Sequence, residues 1–236
     1  MQCLELLTRH NVLRSSDPCE SEAILSRNLC PHVLRLSGSD GLHTVQNCAT
    51  LGFSKLIFLS YGTAVQVTGA QVGDSYLVYL PQSGRSTLRV GAKPVSVPSG
   101  YGAIIAPKVP FLIDADRETS ALVWRLDRYA LERLAGIATG DDAASTVEFT
   151  PSLDLSRGPG AGLARAIRFV AQEMDAAEGV SASPLALERL EQALTFALLD
   201  TQPEDWRTAR LRHGRGAAPA CVRRVEEYLE IGRAHV

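Results

Sequence analysis

Residues 118–136, ETSALVWRLDRYALERLAG, hold the point at which the chain changes its periodicity. In the first half, Leu122, Trp124 and Leu126 share one face of an extended segment, and Ala121, Val123 and Arg125 share the other, because successive side chains on a strand point to opposite faces. With the charge of Arg125 facing water, that alternation turns Trp124 inward. From Asp127 the period becomes helical: Asp127 suits an N-cap and Gly136 suits a stop for DRYALERLAG. A strand running directly into a helix divides a β-rich part from an α-rich part.

Upstream, the strand pattern extends back to about Phe53. KLIFLSYGTAVQVTG (55–69) is rich in β-branched and aromatic residues and ends on a glycine turn. DSYLVYLPQSGRSTLRVGAKPVSVPSG (74–100) contains three short runs broken by PQSG, GAKP and PSG, and YGAIIAPKVPFLIDAD follows. Short strands with turn signals roughly every ten residues predict a closed or sandwiched antiparallel sheet. Downstream, GLARAIRFVAQEMDAAEG (162–179) places Leu163, Ile167, Val170 and Met174 on one helical face, with Gly179 as its end. SPLALERLEQALTFALLD (183–200) opens with Ser183 as cap and Pro184 in the first turn. Its apolar residues cover so much of the circumference that it needs two neighbours, the sheet and either the preceding helix or a second subunit. The fold class is α+β: an N-terminal antiparallel β barrel followed by a helical region.

Composition bounds the function. The 236 residues carry a net charge of −2 and are 45% hydrophobic, ordinary values for a globular chain without a polyanion partner. Between Trp206 and Val225 there are six arginines and no acid, a solvated linker or a basic approach to DNA phosphates. The five cysteines form no CxxC pair and no zinc-finger spacing, which suits free thiols in a reducing cytoplasm. No stretch approaches the roughly 20 apolar residues of a membrane span.

Chemistry is sparse. A cupin-type metal enzyme needs several histidines and a carboxylate converging on one metal, yet His10, His32, His43, His213 and His235 all lie outside the strand region 53–126 and none forms H-x-H. No G-x-S-x-G elbow is present, and SRGPGAG (156–162) lacks the Lys-Ser/Thr ending of a phosphate loop, so it reads as a helix entry. No catalytic residue, metal or cofactor is expected. A small-molecule pocket remains. Tyr61, Tyr76, Tyr79 and Trp124 lie on strands, where rings with polar tips suit a barrel mouth or simply a core. Tyr76 and Tyr79 fall on opposite faces of their strand. Arg85, in a turn, could pair with a ligand carboxylate at the rim.

The order of LSYGTAVQV, YLVYLPQSGRSTLRVG, GAIIAPKVPFLI and LVWRLDRYALERLAG, then helices, then APACVRRVEEYLE, resembles the N-terminal sensor half of AraC/XylS-type transcriptional regulators with an AraC-binding-like domain. The resemblance spans roughly Asp17 to Glu230. It implies an N-terminal extension and start of the sensor domain over 1–52, a cupin-like sensor core over 53–136, and a helical dimerisation region over 137–201. An Arg/Gly linker over 202–218 and the first helix of a DNA-binding domain over 219–230 would follow. Such regulators carry two helix-turn-helix motifs, and nothing of these follows Glu230. The last residues, IGRAHV (231–236), look like a translated sequencing adapter. The expectation is a truncated regulator with an artefactual end; a natural short C-terminus is the alternative.

The implied function is effector-controlled transcription. A small molecule enters the barrel, Tyr61, Tyr76, Trp124 and Arg85 are its candidate contacts, and the helices 161–179 and 184–200 form a homodimer. DNA is reached only through the missing C-terminal domain, and no membrane is involved. A metal-dependent cupin-type enzyme and a ligand-free structural dimerisation module are the competing readings.

Overall fold

The computed structural model describes residues 4–139, 147–179 and 182–202. The helix 219–230, residues 231–236 and all but Gln202 of the linker fall outside the described residues. In order, the chain forms a single 3-10 turn (Thr8–His10), β1 (Asn11–Ser15), α1 (Pro18–Asn28), β2 (Val33–Leu36), β3 (Thr44–Thr50) and β4 (Ser54–Ser60). Next come β5 (Val65–Gly69), β6 (Ser75–Ser83), β7 (Ser86–Val90), β8 (Lys93–Val97), β9 (Tyr101–Ile105), β10 (Phe111–Ala115) and β11 (Ser120–Asp127). The last elements are α2 (Arg128–Thr139), β12 (Ser152–Asp154), α3 (Gly158–Asp175) and α4 (Pro184–Leu199). The class is α+β.

Two antiparallel sheets face each other. One has the order β1-β3-β4-β11-β6-β9-β12 and the other β2-β5-β10-β7-β8. Strands β1, β2 and β3 therefore belong to the sheets, so the β-rich unit starts well before residue 53. The sequence underestimates it there because β1 and β2 are short and mostly exposed edge strands, with little apolar alternation to mark them.

The five-stranded sheet alternates cleanly. On β7, Ser86, Leu88 and Val90 are buried while Thr87 and Arg89 are exposed, the pattern of a sheet wet on one side. The central strands of the seven-stranded sheet do not alternate. β6 is buried at six successive positions, Ser75–Leu80, because both faces are covered. Its inner face, carrying Ile57, Leu77, Tyr79, Ile105 and Val123, meets the smaller sheet. Its outer face, carrying Leu56, Phe58, Tyr76, Val78, Leu122 and Trp124, meets α2, α3 and α4.

The helices start where their caps place them. Asp127 Oδ1 accepts from Ala130 N at 2.9 Å at the head of α2, and Ser183 Oγ accepts from Ala186 N at 3.3 Å at the head of α4. Asp17 caps α1 through Cys19 N and Glu20 N. Gly136 does not stop α2, which continues to Thr139; one glycine costs about 1 kcal/mol in a helix, which packing outweighs. α3 ends at Asp175, short of Gly179. Of the SRGPGAG glycines, Gly160 has a packing role: a Cβ there would overlap the Asp154 carbonyl oxygen, so α3 enters directly on β12. α4 finds its neighbours within the chain, packing on α3 and α2 and on the sheet through Glu191. None of the described helices is long and apolar enough to cross a membrane.

Candidate functional site

Between the two sheets lies a cavity of about 50 Å³. Its apolar wall includes Leu59, Val67, Leu77, Ile105, Phe111 and Val123, contributed by alternate residues of strands in both sheets. The segment at and just after the end of α1 closes it with Leu29, Cys30 and His32. The remaining polar groups on the wall are Tyr61, Tyr79 and Thr119.

Burial keeps these groups neutral. The Tyr79 phenol is pushed up to about 12, chiefly by desolvation, and its hydroxyl donates to Ser86 Oγ at 3.2 Å. The Cys30 thiol is pushed up to about 11 by burial, so it is a protonated, weak hydrogen-bonding group rather than a nucleophile. Burial also raises the Tyr61 phenol, and its hydroxyl has no hydrogen bond to any described residue. Thr119 Oγ1 donates to the Arg85 carbonyl at 2.9 Å or to Asp116 Oδ1 at 2.7 Å. His32 is 8% exposed, and burial drives its pKa below the ordinary 6.5.

Of the residues singled out in the sequence, the structure places Tyr61 on the cavity wall and disperses the others. Trp124 is fully buried, but on the opposite face of β11, where Nε1 donates to Ser54 Oγ at 2.9 Å. Ser54 Oγ donates onward to Glu191 Oε1 of α4 at 2.5 Å, and Phe53 N donates to Glu191 Oε2 at 3.3 Å. Inward toward the barrel is therefore corrected to inward toward the helices. The reason is Arg125, which shares the cavity-side face yet sits at its end, where Nε donates to Ser75 Oγ and NH1 to the Asn28 carbonyl. Tyr76 also faces the helices: its hydroxyl donates to the Val147 carbonyl at 2.9 Å, and its ring meets Phe149 edge-on at 5.2 Å.

Arg85 is exposed and lines an outer groove with Ser37, Thr87 and Asp114. Its turn is fixed from the backbone, with Arg85 N donating to Asp116 Oδ2 at 3.0 Å. Gly84, at φ +71°, fits there because a Cβ would run into Thr119 N.

Sequence reasoning missed His32 and Cys30 on the wall and left Tyr79 undecided. Strand parity already pairs Tyr79 with Leu77, and the β6–β11 register sets Tyr79 opposite Val123. Only the position of the helices shows which face is the cavity. For His32, on a connection between α1 and β2, no periodic signal exists.

Two facing antiparallel sheets that enclose a small, mostly apolar cavity and are backed by a helical layer define a domain of the cupin-like fold class. The chain belongs to the AraC-binding-like domain family, whose model matches residues 21–200. The crystal structure of the AraC-like transcriptional activator CuxR is similar, with a TM-score of 0.61 at 16% identity, covering 82% of this chain and 71% of that one. A Schizosaccharomyces pombe Cnp3 cupin domain aligns with a TM-score of 0.33 at 11% identity, over 39% of this chain and 68% of that chain. A cupin-2 domain from Rhodospirillum rubrum aligns at 0.31 and 12% identity, over 40% and 69%. No curated protein sequence matches the chain. Among the described residues, no group of three His, Cys, Asp or Glu side chains is placed to hold a metal ion.

Proposed function

We propose that this chain is the effector-sensing part of an AraC-type transcription regulator, a binding domain rather than an enzyme. The observation that carries the proposal is the buried cavity between the sheets, whose wall holds His32 Nε2 with no partner among the described residues, in a chain of this family. Tyr61 and Tyr79 are its proposed ligand contacts, and the effector is a small molecule. Tyr76 and Trp124 join the sheet to the helices instead. Arg85 stays in solvent.

The same strands serve both surfaces. β4, β6, β9 and β11 line the cavity on one side and carry α2, α3 and α4 on the other. A ligand that spreads the inner wall therefore moves the platform under the helices. It shifts an equilibrium only if it binds one arrangement better than the other. In this reading two copies pair through α3 and α4, each of which keeps a large apolar side chain exposed, Phe169 and Leu185. A separate domain contacts DNA.

A thermal-shift screen of small aromatic and alicyclic metabolites tests the proposal. A compound present at 100 times its Kd adds about 2.7 kcal/mol, a rise of roughly 5–10 °C for a chain of this size. A screen in which no compound raises the melting point would leave a filled structural barrel and sink the sensing role.

A further inference from the structure

We infer that the effector is a neutral, compact molecule with an apolar body and one hydroxyl or N–H, which it donates to His32 Nε2. This rests on the sensing role proposed above and adds to it the chemical class of the ligand.

The tautomer follows from the partners. His32 Nδ1 lies 2.8 Å from the Cys30 carbonyl oxygen, and a carbonyl can only accept, so Nδ1 carries the hydrogen. In the neutral ring Nε2 is then a lone-pair acceptor. Among the described residues, two buried side-chain polar atoms lack a partner, His32 Nε2 and Gln46 Nε2. Gln46 is not on the cavity wall; His32 is. An unsatisfied buried acceptor destabilises the unliganded protein, and a bound donor removes that cost.

The rest of the wall says what the ligand is not. Among the described residues, no Lys or Arg lines the cavity. Arg125 is turned to Ser75 Oγ and the Asn28 carbonyl, and it borders a separate polar pocket with Lys55 and Asp127. A carboxylate or phosphate would be stripped of water with no cation to meet it. The nearby titratable groups agree: Tyr61, Tyr79 and Cys30 are held neutral, and the Glu22 carboxylate, which reaches Leu34 N at 2.8 Å, would repel an anion. At about 50 Å³ the space holds a few waters as it stands, so the ligand is small, and a single ring requires the wall to give.

The experiment uses the full chain and three ring probes of similar size: phenol, toluene and benzoate. Isothermal titration should give phenol at least about tenfold tighter than toluene, the ratio carried by one good hydrogen bond, and no benzoate binding. In His32→Leu the phenol-to-toluene ratio should fall to one or below while toluene affinity holds, because the phenol hydroxyl is then buried without an acceptor. His32→Phe, which keeps a planar ring without the nitrogens, is the second variant should His32→Leu not fold; the phenol preference is lost in it too. Benzoate binding as tightly as phenol, a phenol-to-toluene ratio near one in the wild type, or an unchanged ratio in His32→Leu would overturn this assignment and leave the sensing role standing. Binding of none of the three, together with a negative metabolite screen, would remove both.

Discussion

The two faces of the seven-stranded sheet are built from the same strands and the same kinds of residue, yet their polar groups are not treated alike. On the helix side, the Trp124 indole, the Ser54 hydroxyl, the Glu191 carboxylate and the Tyr76 phenol are each partnered by protein. On the cavity side, the Tyr79 phenol is partnered by Ser86, but among the described residues His32 Nε2 has no partner. Buried polar groups are nearly always satisfied, so the first face reads as structure and the second as a place kept for something else. Aromatic content alone does not separate them; hydrogen-bond accounting does.

The contrast breaks most visibly at Trp124. Trp124→Ala removes a fully buried indole and orphans its link to Ser54, and the cost should be about 3–5 kcal/mol, read as a lowered denaturant midpoint. Ligand affinity of the protein that remains folded should stay within about twofold. A large loss of affinity at full stability would instead put the indole in the site.

The two tyrosines give a matched pair. Tyr76→Phe leaves the buried Val147 carbonyl without its donor and should cost roughly 1–3 kcal/mol. Tyr61→Phe removes a hydroxyl with no hydrogen bond among the described residues, so chemical denaturation should show stability unchanged or slightly higher. Equal losses in the two variants would erase the distinction between the faces.

Acidity offers a smaller effect. The His32 pKa is depressed by burial, against the weaker upward pull of the Cys30 carbonyl hydrogen bond and of Glu22. The unfolded chain therefore takes up the proton first as pH falls below the ordinary 6.5. The stability at stake is fully present above 6.5 and is lost as the pH drops through the lower folded-state value. Denaturation midpoints measured from pH 7.5 to 5 should move in favour of His32→Leu relative to wild type. A gap that does not change with pH would mean the ring is solvated.

The division of the molecule was legible in its sequence because alternation gives way to a helical period at Asp127, and Ser183–Pro184 marks the head of α4. The face assignment was not. Leu122, Trp124 and Leu126 and the opposite set Ala121 and Val123 are all apolar, since both sides of β11 are buried. Arg125 then misled, because a charged residue at the end of a cavity and one facing water leave the same mark in the sequence. His32 lies on a non-periodic connection and is brought to the wall by the packing of α1. Tertiary packing decides such positions.

The smallest expected effect belongs to Arg85, the one cation among the residues first considered for the site. Its guanidinium is exposed, and the turn that carries it is held by backbone bonds: Arg85 N to Asp116 Oδ2, and Thr119 Oγ1 to the Arg85 carbonyl. Arg85→Ala keeps both. Stability should therefore change by no more than about 0.5 kcal/mol, and phenol affinity by less than twofold at low and high salt alike. An anionic effector steered or held at the rim would behave differently, losing affinity in the variant and losing it further with added salt. Because the variant leaves the fold untouched, a null result here separates a site that recognises a neutral donor from one that recognises charge.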